Sequence, residues 1–344
     1  MSPATRPRAP LTERLLVIDP ASGDFTDAAV TELPRFLRKG DIVVVNDAAT
    51  LPASLHGTLG GAPIELRLAG APAEAPEGTF AAVLFGAGDW RTKTEHRASP
   101  PVARAGDVLT FAGALEATVI AVDDASPRLL VVRFDRAGAR LWSALYVAGK
   151  PVQYAYIERE LRLWDVQTSY ASRPWAMEMA SAGRPLSSSL LGSLAGAGVA
   201  LAAITHAAGL SSTGDDALDA RLPLAERYDI PEATVRAIAD AKVAGGRVVA
   251  VGTTVVRALE GAAAANGGRL RAGEGTTSIL LGPGFRAQVV DGLLTGMHEP
   301  TASHFALLQA FAPLGLLARA YALAEASGYL GHEFGDSNLI LRAR

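Results

Sequence analysis

Apolar positions follow different rhythms in different parts of this chain, and the changes of rhythm divide it. In residues 11 to 56, short continuous apolar runs flank one helical segment. LLVIDP predicts a buried strand, TELPRFLRKGD a helix with Gly40 in the C′ position, and IVVVND a second strand that meets polar residues at Asn46 and Asp47. From about Gly57 to Phe134 the pieces shorten to IELRLAG, TFAAVLFG, DVLTFAG, LEATVIAV and RLLVVRF, with Gly, Pro and Asp clusters between them. That spacing, with turns at Gly106-Asp107 and Asp123-Asp124, predicts a small antiparallel sandwich or barrel.

Residues 150 to 186 are irregular and hold Tyr154, Tyr156, Trp164, Tyr170 and Trp175. Burial of these rings would pin a loop to the body; a base-stacking surface is the alternative. Beyond them strands and helices alternate. VALAAITH, RVVAVG and TTSILLG read as strands; PEATVRAIADAKVAGG, TVVRALEGAAAA, TASHFALLQAFA and a segment near ARAYALAEAS read as helices. The alternation predicts an α/β body with a largely parallel sheet. The body would comprise residues 1–56 and 150–344, with an inserted small antiparallel β-barrel domain at 57–149.

The uncharged run from 185 to 214 is long enough to span a bilayer, but Ala, Gly and Ser dominate it. It reads instead as a helix over 188–194 and a buried strand over 199–205. The chain has 344 residues, 49% of them hydrophobic, with a net charge of −3, so one large or two smaller cores are within reach. Bulk charge gives no attraction to nucleic acid, although a local basic face remains compatible with it. With no cysteine, thiolate metal sites, disulfides and cysteine nucleophiles are excluded. MSPATRPRAP lacks the apolar core of a secretory signal, so a cytoplasmic location is expected.

Candidate chemistry concentrates at RVVAVGTTVVRALE. In a parallel sheet ligands sit beyond the carboxyl ends of strands. Gly252 permits close backbone approach, Thr253 or Thr254 can cap the following helix, and its N-terminus favours an anion. Val255, Leu259 and Ala262 form the sheet-facing stripe, with Arg257 and Glu260 pointing away from it. A capped helix with a solvated ion pair is the plain alternative. However, an arginine in the first turn opposes the helix dipole, and a ligand carboxylate or phosphate would account for it. GMHEPTASH is not HExxH, and its six-residue spacing does not bring His298 and His304 onto one helical face, so no zinc site is expected. His298 precedes a helix, and His206 ends a strand before a Gly/Ser-rich segment; either could be a site residue or a structural histidine. Asp336, in the turn Gly335-Asp336-Ser337, could cap the turn or bind a ribose hydroxyl or an amine.

GDIVVVNDAATLPASLHG, YIERELRLWDVQTSYA, ITHAAGLSSTG, RVVAVGTTVVRALEGAA, VVDGLLTGMHEP and FGDSNLIL occur in one order. In that order the chain resembles the S-adenosylmethionine:tRNA ribosyltransferase-isomerase family of queuosine biosynthesis, from about Leu11 to Leu341. The resemblance implies a β-barrel domain inserted into an α/β body. It implies S-adenosylmethionine as co-substrate, no prosthetic group, and tRNA as acceptor: the ribosyl moiety moves onto a 7-aminomethyl-7-deazaguanine, with release of adenine and methionine. Gly252, Thr253, Thr254 and Arg257 would then hold the carboxylate or ribose end of the donor, and Asn46 would join the binding set. His298 or His206 would be the general base or acid, with Glu226 in reserve, while Gly335 and Asp336 would orient a hydroxyl or amine. The chain departs from the family pattern in several places. Ala48-Ala49 stand for Thr-Arg, Ser54 for an Arg, ASAGRPL for PTAGLHF, and Glu333-Phe334 for Ser-Tyr. Two alternatives therefore stand beside the family reaction: a relative that uses S-adenosylmethionine on a small-molecule acceptor, and a non-catalytic binding protein on the same scaffold.

Overall fold

Uninterrupted apolar runs suit strands covered on both faces, and they form the centre of the main sheet. In the computed structural model, which describes residues 1–9, 11–72, 74–300 and 303–342, Ile42–Asn46 is buried along its whole length. It lies between Ala200–His206 and Val248–Val251, parallel to both. Val248–Val251 in turn pairs in parallel with Gly292–Gly296. Side chains alternate between two cores. Ile42, Val44, Val248 and Ala250 face helices Glu232–Val243, Thr253–Ala265 and Leu314–Ala326. Val43, Val45, Val249 and Val251 face helix Ser188–Gly196 and the segment around Val30 and Leu33.

The sheet has nine strands and is mixed, not largely parallel as the alternation suggested. Four pairings are parallel and four antiparallel. Glu226–Ile230 and Gly273–Thr277 add antiparallel strands at one side. Ser337–Leu341 runs antiparallel to Gly292–Gly296 and parallel to Arg14–Ile18, to which Phe25–Ala29 is antiparallel. Strand direction depends on where each connection returns, which an apolar period does not encode.

Local expectations shift for identifiable reasons. The helix expected before Gly40 is a 3-10 helix, Val30–Arg35, with Pro34 inside it and hence one fewer N–H donor. The strand expected at TTSILLG lies earlier, at Gly273–Thr277. The helix expected from Thr301 is Ser303–Leu308; Thr301 and Ala302 lie outside the described residues. The uncharged 185–214 run divides into helix Ser188–Gly196 and strand Ala200–His206, and no helix among the described residues is long and apolar enough to cross a membrane.

Six antiparallel strands, Ser54–Leu59, Ala62–Gly70, Thr79–Phe85, Val108–Phe111, Leu115–Val122 and Leu129–Phe134, close a barrel through the pairing of the first with Val108–Phe111. Helix Gly138–Ala148, which the apolar pattern did not reveal, covers the barrel with Leu141 and Leu145. A charged group sits inside. Glu65, 2% exposed, accepts from Ser54 Oγ at 2.7 Å and Arg67 Nε at 2.7 Å, and also from Arg97.

Candidate active site

The four parallel neighbours end at one edge of the sheet and bring His206, Asn46, Gly252 and Thr295 to it. Asn46, 1% exposed, joins the ends. Its Oδ1 accepts the N–H of His206 at 2.9 Å and of Ala48 at 3.1 Å. Its Nδ2 donates to the His206 carbonyl at 3.0 Å and reaches Thr254 Oγ1 at 3.5 Å. Asn46 therefore fixes the spacing of the strand ends that present the other groups.

Gly252 has φ 90° and ψ 154°, backbone values essentially confined to glycine. A Cβ there would stand 3.3 Å from Ala182 Cβ. The expectation that Thr253 or Thr254 caps the helix is corrected. Gly252 is itself the N-cap, both threonines lie in the first turn, and no side chain among the described residues caps the helix. The turn thus keeps N–H groups for an anion, with the dipole behind them. Gly252→Ala is expected to lower stability by about 1–3 kcal/mol through forced strain and to weaken donor binding. Urea denaturation and calorimetric titration with S-adenosylmethionine check the two effects.

Arg257 and Glu260 are not solvated, which removes the exposed ion pair. They are 7% and 1% exposed, because the helix is covered on its polar side as well. Glu260 accepts the backbone N–H groups of Gln288, Val289 and Val290, each at 2.9 Å. Arg257 turns to Glu226. Oε2 of this carboxylate lies 2.7 Å from Arg257 Nη2 and 3.2 Å from His206 Nε2, at angles that align neither as a hydrogen bond. Its Oε1 accepts the Gly209 N–H at 3.0 Å. Burial pushes the Glu226 carboxyl up, but His206 and then Arg257 outweigh burial and hold it below its ordinary value. Burial pulls the Arg257 guanidinium down, opposed by Glu226. The result is a buried, ionised carboxylate shared by a guanidinium and an imidazole.

His298 Nε2 lies 2.8 Å from Thr295 Oγ1, and the Tyr321 hydroxyl accepts its backbone N–H at 3.2 Å. Its ring stacks on His304, with centroids 5.2 Å apart. Burial first, then His304 and His332, push the His298 imidazole down to about 3, so it is neutral at physiological pH and suited to accepting a hydrogen bond. His304 is also pulled down, by burial and then by Arg257, with Glu226 opposing. It therefore lies within the electrostatic reach of both His298 and the Arg257–Glu226 pair. Only a spacing unfit for zinc had drawn attention to His304 in the sequence; His304 lies on helix Ser303–Leu308 and His298 does not, so the spacing on one helical face does not govern whether the rings meet.

Gly335 and Asp336 are committed to the fold. A Cβ on Gly335 would stand 2.4 Å from the carbonyl oxygens of Leu330 and Gly331. Asp336 Oδ1 takes Arg8 and, at 2.8 Å, the Arg14 N–H; Oδ2 takes the Leu330 N–H at 2.8 Å. Of the five aromatic residues in the irregular segment, Trp164 is 67% exposed and the others are partly buried. A cleft of about 450 Å³ lies at the opposite edge of the sheet, lined by Arg247, Phe36 and Arg342 together with Asp19 and Asp24.

A family model described as queuosine biosynthesis protein matches residues 2–340. The S-adenosylmethionine:tRNA ribosyltransferase-isomerase of Gluconacetobacter diazotrophicus is 37% identical over 349 residues, covering 99% of this chain and 93% of the relative. That of Sorangium cellulosum is 38% identical over 346 residues, covering 95% and 91%. The crystal structure of the S-adenosylmethionine tRNA ribosyltransferase from Thermotoga maritima aligns with a TM-score of 0.53 at 23% identity, covering 98% of this chain and 96% of that one, a likeness of fold.

Proposed function

The chain belongs to the queuosine biosynthesis protein family, and from that premise we propose that it acts on S-adenosylmethionine and tRNA in the cytoplasm. It transfers and isomerises the ribosyl moiety onto the aminomethyl group of a 7-deazaguanine, releasing adenine and methionine. The sulfonium acidifies the adjacent C5′ hydrogens, adenine departs more readily when its ring nitrogens are hydrogen-bonded, and the methionine carboxylate needs an anion site. The uncapped first turn at Thr253 and Thr254 supplies that anion site. His206, held against the Glu226 carboxylate, is the general acid or base; Arg257 balances the charge of Glu226 and keeps it ionised. A carboxylate behind an imidazole orients it and stabilises the imidazolium formed on proton uptake. Neutral His298 accepts a hydrogen bond from the nucleoside.

The observation that carries this reading is the buried Arg257–Glu226–His206 group at the carboxyl ends of the parallel strands, within 3.2 Å of one shared oxygen. The test is adenine release from S-adenosylmethionine with and without tRNA bearing the aminomethyl-deazaguanine. Release that depends on this tRNA is expected. Release that needs only a small-molecule amine would transfer the reading to another acceptor, and donor binding without release under either condition would leave a binding protein.

A further inference from the structure

The turn before the last strand closes a cleft against the site. Its walls include Glu13, Ser181, Ala182, Arg184, Gly296 and Glu333. Ala182 is the residue nearest to where a side chain on Gly252 would stand, and Gly296 ends the strand that carries Thr295, two residues before His298. The cleft therefore adjoins the strand ends that hold the acid–base group.

Two carboxylate oxygens in its walls are buried and lack a hydrogen-bond partner among the described residues: Glu13 Oε2 and Glu333 Oε2. Glu13 is 2% exposed, and its other carboxylate oxygen accepts from Arg184 Nη1 at 2.8 Å. The second terminal nitrogen of Arg184 donates to the Arg8 carbonyl at 2.7 Å, so this guanidinium is already committed. A buried acceptor left without a donor is costly, and two such carboxylates among the residues that line one small cleft call for a group rich in N–H donors. The free volume is about 10 Å³, the scale of one water or one ammonium group.

We propose that this cleft is a primary-amine subsite in which Glu13 and Glu333 accept the N–H groups of a substrate ammonium. The inference rests on the transfer reaction proposed above, which offers two such groups, the methionyl α-ammonium of the donor and the aminomethyl group of the acceptor. In the sequence the amine-binding role pointed to Asp336, but donors from Arg8, Arg14 and Leu330 occupy its oxygens. Glu333, three residues earlier, retains a free one. Burial pushes the Glu333 carboxyl up to about 7, with its own backbone N–H opposing, and an arriving ammonium favours its charged form.

The test compares S-adenosylmethionine with an analogue whose α-ammonium is replaced by hydrogen, titrated calorimetrically into wild type, Glu333→Gln and, should that variant fold poorly, Glu333→Ser. The KM for tRNA is measured in the adenine-release assay. If the donor's ammonium occupies the cleft, wild type binds S-adenosylmethionine at least about tenfold tighter than the analogue, and the variant loses that preference. If the acceptor's amine occupies it, both donors bind wild type and variant alike, and the variant raises the tRNA KM at least about tenfold. Equal donor affinities together with an unchanged tRNA KM overturn the subsite. Wild type that releases no adenine defeats the transfer reaction itself, a separate result from the comparison of the two donors.

Discussion

Glu226→Gln is expected to reduce tRNA-dependent adenine release by at least about 100-fold, the scale of losing a positioned acid–base group. The amide keeps the shape of the carboxylate and removes its charge. His206 then has no anion to stabilise the imidazolium it forms, and Arg257 becomes a buried cation without a counter-charge. Removing one partner of a buried pair costs about 3–5 kcal/mol, so the melting temperature falls as well. A double variant separates the two losses. Glu226→Gln with Arg257→Met removes both charges and is expected to recover much of the stability while staying inactive. Steady-state kinetics and thermal melts are the measurements; single-variant activity within about threefold of wild type would remove Glu226 from the machinery.

Glu65→Ala is expected to lower stability by about 3–5 kcal/mol, because it strands Arg67 inside the barrel and removes a partner of Arg97. Urea denaturation at neutral pH reads the loss directly. The pH dependence has a definite sign. Burial pushes the Glu65 carboxyl up, but Arg67, Ser54 and Arg97 outweigh it and lower its pKa from 4.5 to about 2. A carboxyl with a depressed folded-state value stabilises fully above its unfolded value and ceases to do so as pH falls through the folded one. The contribution of Glu65 is therefore complete above about pH 4.5 and declines towards about pH 2. Over that window the urea midpoint of wild type should fall more steeply than that of the variant. Parallel curves would show that the carboxylate does not carry this stabilisation.

How much was legible in the sequence depended on what each residue's pattern could encode. The runs at Ile42–Asn46 and Val248–Val251 announced buried strands because both faces are covered, and the turn at Gly252 was visible for the same reason. The barrel strands were visible from their turn spacing. Strand Glu226–Ile230 was not, since ERYDI alternates polar and apolar residues at the side of the sheet and has no long apolar run. Glu226 consequently entered as a reserve candidate by resemblance, although it is the carboxylate that joins Arg257 to His206. Arg257 and Glu260 looked solvated because the strand and the 288–290 backbone that cover them come from distant sequence. Asp336 looked available for the converse reason: its backbone donors, on Arg14 and Leu330, leave no mark in composition.

The most direct test of the account is a crystal structure of the protein with S-adenosylhomocysteine, the stable neutral counterpart of the donor. The ligand is expected at the strand ends, with its carboxylate on the first turn at Thr253 and Thr254 and its ribose facing His206. A ligand bound instead in the cleft beside Arg247, at the opposite edge of the sheet, would contradict it.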